Sequence, residues 1–143
     1  MTPREQGFLL LTSCLGDPDR RPLTDAQLRL LTGRMELMKK GEDRDIVPQD
    51  LICLGYGQEM ANRIVALLED TDSLQWYLQK AKAARCIPLT RVSEGYPAIL
   101  RQRLGGESTG CLWAKGNVEL LGYRAISLVG SRDLSPDNEK FAA

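Results

Sequence analysis

The chain changes its hydrophobic period once, near Arg85, and that change constrains its fold more than any other feature. Before it, apolar residues recur at helical spacing, whereas after it they fall in short runs divided by Gly and Pro. The expected organisation is a helical domain over residues 1–85 and a strand-bearing domain over 86–143. The expected fold class is α/β.

The helical half is punctuated residue by residue. Leu23-Thr24-Asp25-Ala26-Gln27-Leu28 offers a capping box between Thr24 and Gln27, with Leu23 and Leu28 placed as a hydrophobic staple. Leu28, Leu31, Met35 and Met38 then form one apolar stripe. Residues 41–45 are polar and turn-like, and Pro48 suits the first turn of a short helix that stops at Gly55. A further helix after Gly57 carries Met60, Ala61, Ile64, Val65 and Leu68 on one side. Asp72-Ser73-Leu74-Gln75 supplies another cap, opening a helix through Trp76, Tyr77, Leu78 and Ala81 to about Arg85.

In the second half, residues 86–89, 111–114 and 125–129 read as strands. The last is a continuous apolar run suited to a parallel strand buried on both faces. Residues 96–100 look helical with Pro97 in the first turn, 118–121 suit one further turn, and Ser135-Pro136 opens a new helix. A strand, a Gly turn and a helix N-terminus make the first half of a βαβ unit. Its parallel partner strand is missing before residue 143, so the chain is expected to be the N-terminal portion of a longer protein.

Composition removes several chemistries. The chain has 143 residues and no histidine, which excludes Ser-His and Cys-His nucleophile pairs, imidazole metal sites and histidine acid/base catalysis. Nineteen Lys and Arg balance nineteen Asp and Glu, so any nucleic-acid contact has to come from a local patch. Cys14, Cys53, Cys86 and Cys111 form no CxxC pair and are expected reduced and buried, with no metal site. The apolar run 7–11 is too short for a secretory leader and lacks its flanks, which points to the cytoplasm and away from membranes.

Two segments could carry chemistry. Leu51-x-x-Leu54-Gly55-Tyr56-Gly57-x-x-x-Ala61-x-x-Ile64 resembles a helix-hairpin-helix, in which Gly55 and Gly57 allow a tight turn and backbone amides meet a phosphate. The same glycines would serve equally to pack two helices, with Leu54 and Tyr56 pinned in a core. Acids weigh against the phosphate: Glu59 stands in the first turn, and residues 46–85 hold four basic against five acidic side chains. The second segment is Val129-Gly130-Ser131-Arg132-Asp133-Leu134-Ser135-Pro136, a strand end, Gly turn and helix start. There Gly130 permits close backbone approach, Ser131 and Ser135 offer hydroxyls, and Arg132 can grip a phosphate. As a plain surface turn, the same residues would pair Arg132 with Asp133. Neither GxGxxG nor GxxxxGK[ST] is present, which disfavours a dinucleotide oxidoreductase or a P-loop NTPase. Trp76, Tyr77, Tyr96 and Trp113 are expected in the core rather than as base-stacking platforms, and Glu69, Asp70 and Asp72 read as helix ends.

The ordered series Tyr96-Pro97-x-x-Leu100, Leu112-Trp113-Ala114-Lys115-Gly116-Asn117 and Val129-Gly130-Ser131-Arg132 resembles the DprA/Smf family of bacterial DNA-processing proteins. The resemblance implies an N-terminal helical SAM-like domain followed by the start of an extended Rossmann-like parallel sheet. It also implies a cytosolic protein that binds single-stranded DNA and delivers it to a RecA-type recombinase in natural transformation. Such a protein uses no cofactor, is not an enzyme, and has its homodimer surface beyond residue 143. Gly130, Ser131 and Arg132 match the family's proposed DNA-phosphate turn, and Ser135 matches the serine opening the next helix. The chain departs from the family at Pro136-Asp137-Asn138 and at Ser108-Thr109-Gly110. Two other classes compete: a nucleotide- or nucleotide-sugar-binding enzyme of the lysine-decarboxylase-like group, and a helical protein-interaction module.

Overall fold

The computed structural model describes residues 1–36 and 45–123. Met38, residues 41–44 and the expected strand 125–129 lie outside them. The described residues form a helix-rich α/β structure: α1 (Pro3–Thr12), α2 (Asp25–Glu36), α3 (Pro48–Cys53), α4 (Gln58–Glu69), α5 (Thr71–Ala83), β1 (Cys86–Thr90), α6 (Ala98–Leu104) and β2 (Cys111–Lys115), with short 3-10 turns at Gly105–Glu107 and Val118–Gly122.

The central element is α1. Thr2 caps it by accepting from the Glu5 amide at 3.3 Å, while the Glu5 carboxylate accepts from the Thr2 amide at 2.6 Å. Pro3 fits the first helical position, where an amide hydrogen would have no intrahelical acceptor. Four consecutive residues, Phe8 to Leu11, are buried, which a helix achieves only when it is covered on more than one side. Phe8 and Leu11 join the core formed with Leu28 and Leu31 of α2, Leu51 of α3 and Ile64 of α4. Leu9 and Leu10 point into a second core with Leu15 and Leu74, against which Tyr77 and Trp113 pack. The helical half and the strands thus share α1 as a common wall.

The remaining helices follow their local signals. Thr24 and Gln27 exchange the two expected capping bonds at 3.1 and 3.2 Å, and Leu23 and Leu28 are both buried. The fifth helix starts at Thr71, ahead of the expected Asp72-Ser73 cap. Its end is a left-handed turn in which Arg85 has φ 55°.

β1 and β2 pair antiparallel, with Cys86 opposite Lys115 and Thr90 opposite Cys111. The connection between them is held by Tyr96, which is 2% exposed and whose Oη donates to the Thr109 carbonyl at 2.8 Å. The Arg101 guanidinium donates to the carbonyls of Ser93 and Tyr96, so the Tyr96-Pro97 segment is pinned from both sides. The sheet is fastened to α1 and α5: the Trp113 ring meets Tyr77 edge-on at 4.9 Å, and its Nε1 donates to Ser13 Oγ at 3.2 Å.

Gly110 sits where this sheet meets α1, and a Cβ there would stand 2.4 Å from Thr12 Cγ2. Thr12 cannot swing away freely, because its Oγ1 donates to the Phe8 carbonyl at 2.6 Å. Gly110→Ala is therefore expected to cost about 1–3 kcal/mol by overpacking, with Thr12→Ala recovering part of it in a double-mutant cycle read by urea unfolding.

Two expectations about side chains are corrected. Trp76 is 52% exposed rather than in the core, because α5 buries its Leu74 and Ala81 side and Trp76 points to solvent, covered by Lys80 Nζ at 3.6 Å. All four cysteines are free thiols, yet Cys14 and Cys53 are exposed and Cys86 and Cys111 only half-buried. Burial raises the Cys111 thiol above its ordinary pKa, keeping it protonated.

Candidate functional site

Gly130, Ser131, Arg132 and Ser135 lie outside the described residues. The hairpin with Gly55 and Gly57 lies within them, between α3 and α4. The third helix closes in a Schellman turn: the Gly55 amide donates to the Ile52 carbonyl at 2.9 Å and the Tyr56 amide to Leu51 at 3.1 Å. Gly55 has φ 85°, a left-handed conformation that glycine adopts without steric cost. Its amide and that of Tyr56 are already used, so neither is available to a phosphate.

Gly57 is different. Its backbone is ordinary (φ −70°, ψ 156°), and a Cβ built on it would meet nothing within 4 Å. Conformation therefore accounts for Gly55, whereas neither conformation nor packing requires glycine at 57. Gly57 is the N-cap of α4 and supplies no side-chain cap, which leaves the amides of the first turn facing outward at the positive end of a twelve-residue helix. Glu59 stands in that same turn, as expected from the sequence, and lowers the local positive potential.

A residue that sequence reasoning did not single out completes the site. Arg34, on α2, places its guanidinium 4.5 Å from the centre of the Tyr56 ring. With Gln27, Leu30, Met60 and the hairpin glycines it lines a recess of about 260 Å³. The Tyr56 hydroxyl is buried with no hydrogen-bond partner, and burial raises its pKa while Arg34 acts in the opposite direction. The signal for Arg34 was legible in principle: it follows Leu31 by one turn on the helix that covers the hairpin.

Many of the other arginines are committed to structure. Arg63 donates to the carbonyls of Arg21 and Pro22, Arg91 to those of Gly106 and Ser108, and Arg29 pairs with Glu107. Arg20 is the most engaged: it pairs with Asp70 and donates to the carbonyls of Leu10 and Ser13. Neutral net charge is thus reached with several cations spent on backbone carbonyls, and among the described residues Arg34 is the cation set beside the hairpin.

Among the described residues no group of three His, Cys, Asp or Glu side chains could hold a metal ion. No described helix is long and apolar enough to cross a membrane. No family model, curated protein or solved structure matches the chain.

Proposed function

We propose that this chain is the N-terminal part of a DprA/Smf-like protein that binds single-stranded DNA and delivers it to a RecA-type recombinase, acting by binding rather than catalysis. In this reading it works in the cytoplasm, without cofactor, and the described helices and antiparallel strands lead into a Rossmann-like parallel sheet. The observation that carries the reading is the ordered motif series ending in Gly130-Ser131-Arg132. The hairpin supports it, because Gly57 is a glycine without a packing reason at an uncapped helix start, with Arg34 close by. Both elements contact phosphate rather than base, which suits binding that does not depend on sequence.

The test is fluorescence anisotropy with a labelled oligo(dT). Affinity should fall steeply between about 50 and 200 mM salt as counterions are released, and Arg132→Ala should weaken binding by about 1–3 kcal/mol. Gly57→Asp separates the two roles of the hairpin: a carboxylate at the N-cap stabilises α4 by up to about 1 kcal/mol while repelling phosphate. The expected outcome is an equal or higher melting temperature together with weaker binding. A gain in stability with unchanged binding assigns the hairpin to packing alone, and an unchanged titration for Arg132→Ala removes Arg132 from the site.

A further inference from the structure

A second recess, separate from the hairpin, opens between the start of α1, the end of α5 and β1, with a volume of about 590 Å³. That size lies within the range of small-molecule sites, which run from about 300 to 1,000 Å³. Its apolar lining includes Met1, Leu78, Ile87 and Pro88. Ile87 is 45% exposed, so this surface is open to a ligand.

Two cations, Lys82 and Arg85, line the same recess, and neither pairs with a described acid. Lys82 has a sufficient structural reason, since a cation in the last turn of α5 complements the helix dipole. Arg85 has none. It occupies the left-handed position after the helix, with φ 55°, where glycine would be the least strained residue. What arginine brings at this position that glycine would not is the guanidinium lining the recess.

Beside Met1 and the Cys86 thiol, the remaining lining groups are a carboxylate and two hydroxyls. Glu5 lines the recess from α1, and its carboxyl is held below its ordinary pKa by the Ser93 hydroxyl and then by the Thr2 amide. Ser93 in turn shares a hydrogen bond of 2.8 Å with Thr90, both hydroxyls being buried. The recess therefore presents two side-chain cations, an apolar floor and an ionised carboxylate. An anion with a flat apolar body and its own hydrogen-bond donors satisfies all three.

We propose that this recess binds a nucleoside monophosphate unit, with the phosphate on Lys82 and Arg85, the base on Leu78, Ile87 and Pro88, and Glu5 accepting from an amino or hydroxyl group. The unit is either a free nucleotide or one residue of a DNA strand. The first source is independent of the function proposed above, and the second rests on it.

The experiment is calorimetric titration of the protein with dAMP, deoxyadenosine and inorganic phosphate, run beside the oligo(dT) anisotropy assay. Lys82→Ala and Arg85→Gly are the variants, and glycine at 85 suits the left-handed turn, so the fold is kept. The expected result is that dAMP binds, that deoxyadenosine binds about tenfold or more weakly, and that each variant loses about tenfold in dAMP affinity, with an unchanged or higher melting temperature for Arg85→Gly and a slightly lower one for Lys82→Ala. Weaker oligo(dT) binding by both variants identifies the unit as part of a strand, whereas a loss confined to dAMP identifies a free nucleotide. Absence of dAMP binding by the intact protein, or variants that bind dAMP as well as the parent, overturns the proposal. Oligo(dT) binding that responds to Arg132→Ala but not to these variants, with dAMP silent, overturns it while leaving the DNA-binding reading intact.

Discussion

Arg20→Ala is expected to lower the free energy of unfolding by about 3 kcal/mol, the low end of the range for removing one partner of a buried ion pair. The Arg20 side chain is 8% exposed and its partner Asp70 30%, so Asp70 keeps some access to water when the guanidinium is lost. The cost exceeds the ion pair alone. Arg20 also donates to the carbonyls of Leu10 at 2.9 Å and Ser13 at 3.1 Å, tying the end of α1 to the junction of α4 and α5. Arg20→Lys should recover only a fraction, because one ammonium cannot reproduce the planar fork that reaches carboxylate and carbonyls together. Urea titration should show a lower midpoint at unchanged slope for both variants. The pH dependence has a definite sign. The Ser73 hydroxyl, and after burial's opposing effect the Arg20 charge, hold the Asp70 carboxyl below its ordinary pKa. The stability this confers is complete above the ordinary carboxylate pKa of about 4 and is lost as the pH falls through the lower folded value. Arg20→Ala should therefore flatten the acid limb of the stability profile.

Legibility in the sequence followed the range of the interactions. The Thr24–Gln27 box, the stop at Gly55 and both described strands depend on neighbours within a few residues, and each was readable from its own segment. The first helix was equally readable, since Thr2-Pro3-Arg4-Glu5 combines a capping box with Pro at the first position. Its apolar run is continuous rather than periodic, so nothing in it marks the element that divides the two cores. Trp76 leaves the core for a geometric reason: buried Leu74 and half-buried Leu78 are each two residues away, about 200° around the helix, so Trp76 falls on the opposite face. Long-range features left no trace. The partner of Arg20 is fifty residues away, and the antiparallel register of β1 and β2 bridges a connection with its own helix. At the hairpin both glycines belong to one motif, and only the dihedral angles and the surrounding space separate Gly55, which the turn requires, from Gly57, which it does not.

Leu9→Ala is the second large effect, expected at about 3 kcal/mol from lost burial and the cavity left behind. Leu9 is fully buried, and the wall around it has little freedom to close. On the same helix Phe8 and Leu11 are anchored in the other core, so α1 cannot shift toward the gap without opening contacts to α2 and α4. On the far side, Trp113 is fixed by Tyr77 and by its bond to Ser13, which resists inward movement of the sheet. A site that cannot relax retains most of its cavity, which places the cost above the minimum for a leucine. Leu30→Ala on α2 is the control: Leu30 is 49% exposed, and its loss should stay within about 0.5 kcal/mol. Urea unfolding measures both values, and the emission of Trp113 in a Trp76→Phe background reports whether the second core loosens around the gap. A loss below about 1 kcal/mol for Leu9→Ala, with Trp113 emission unchanged, would mean that α1 moves as a free helix and that the two cores are not joined through it.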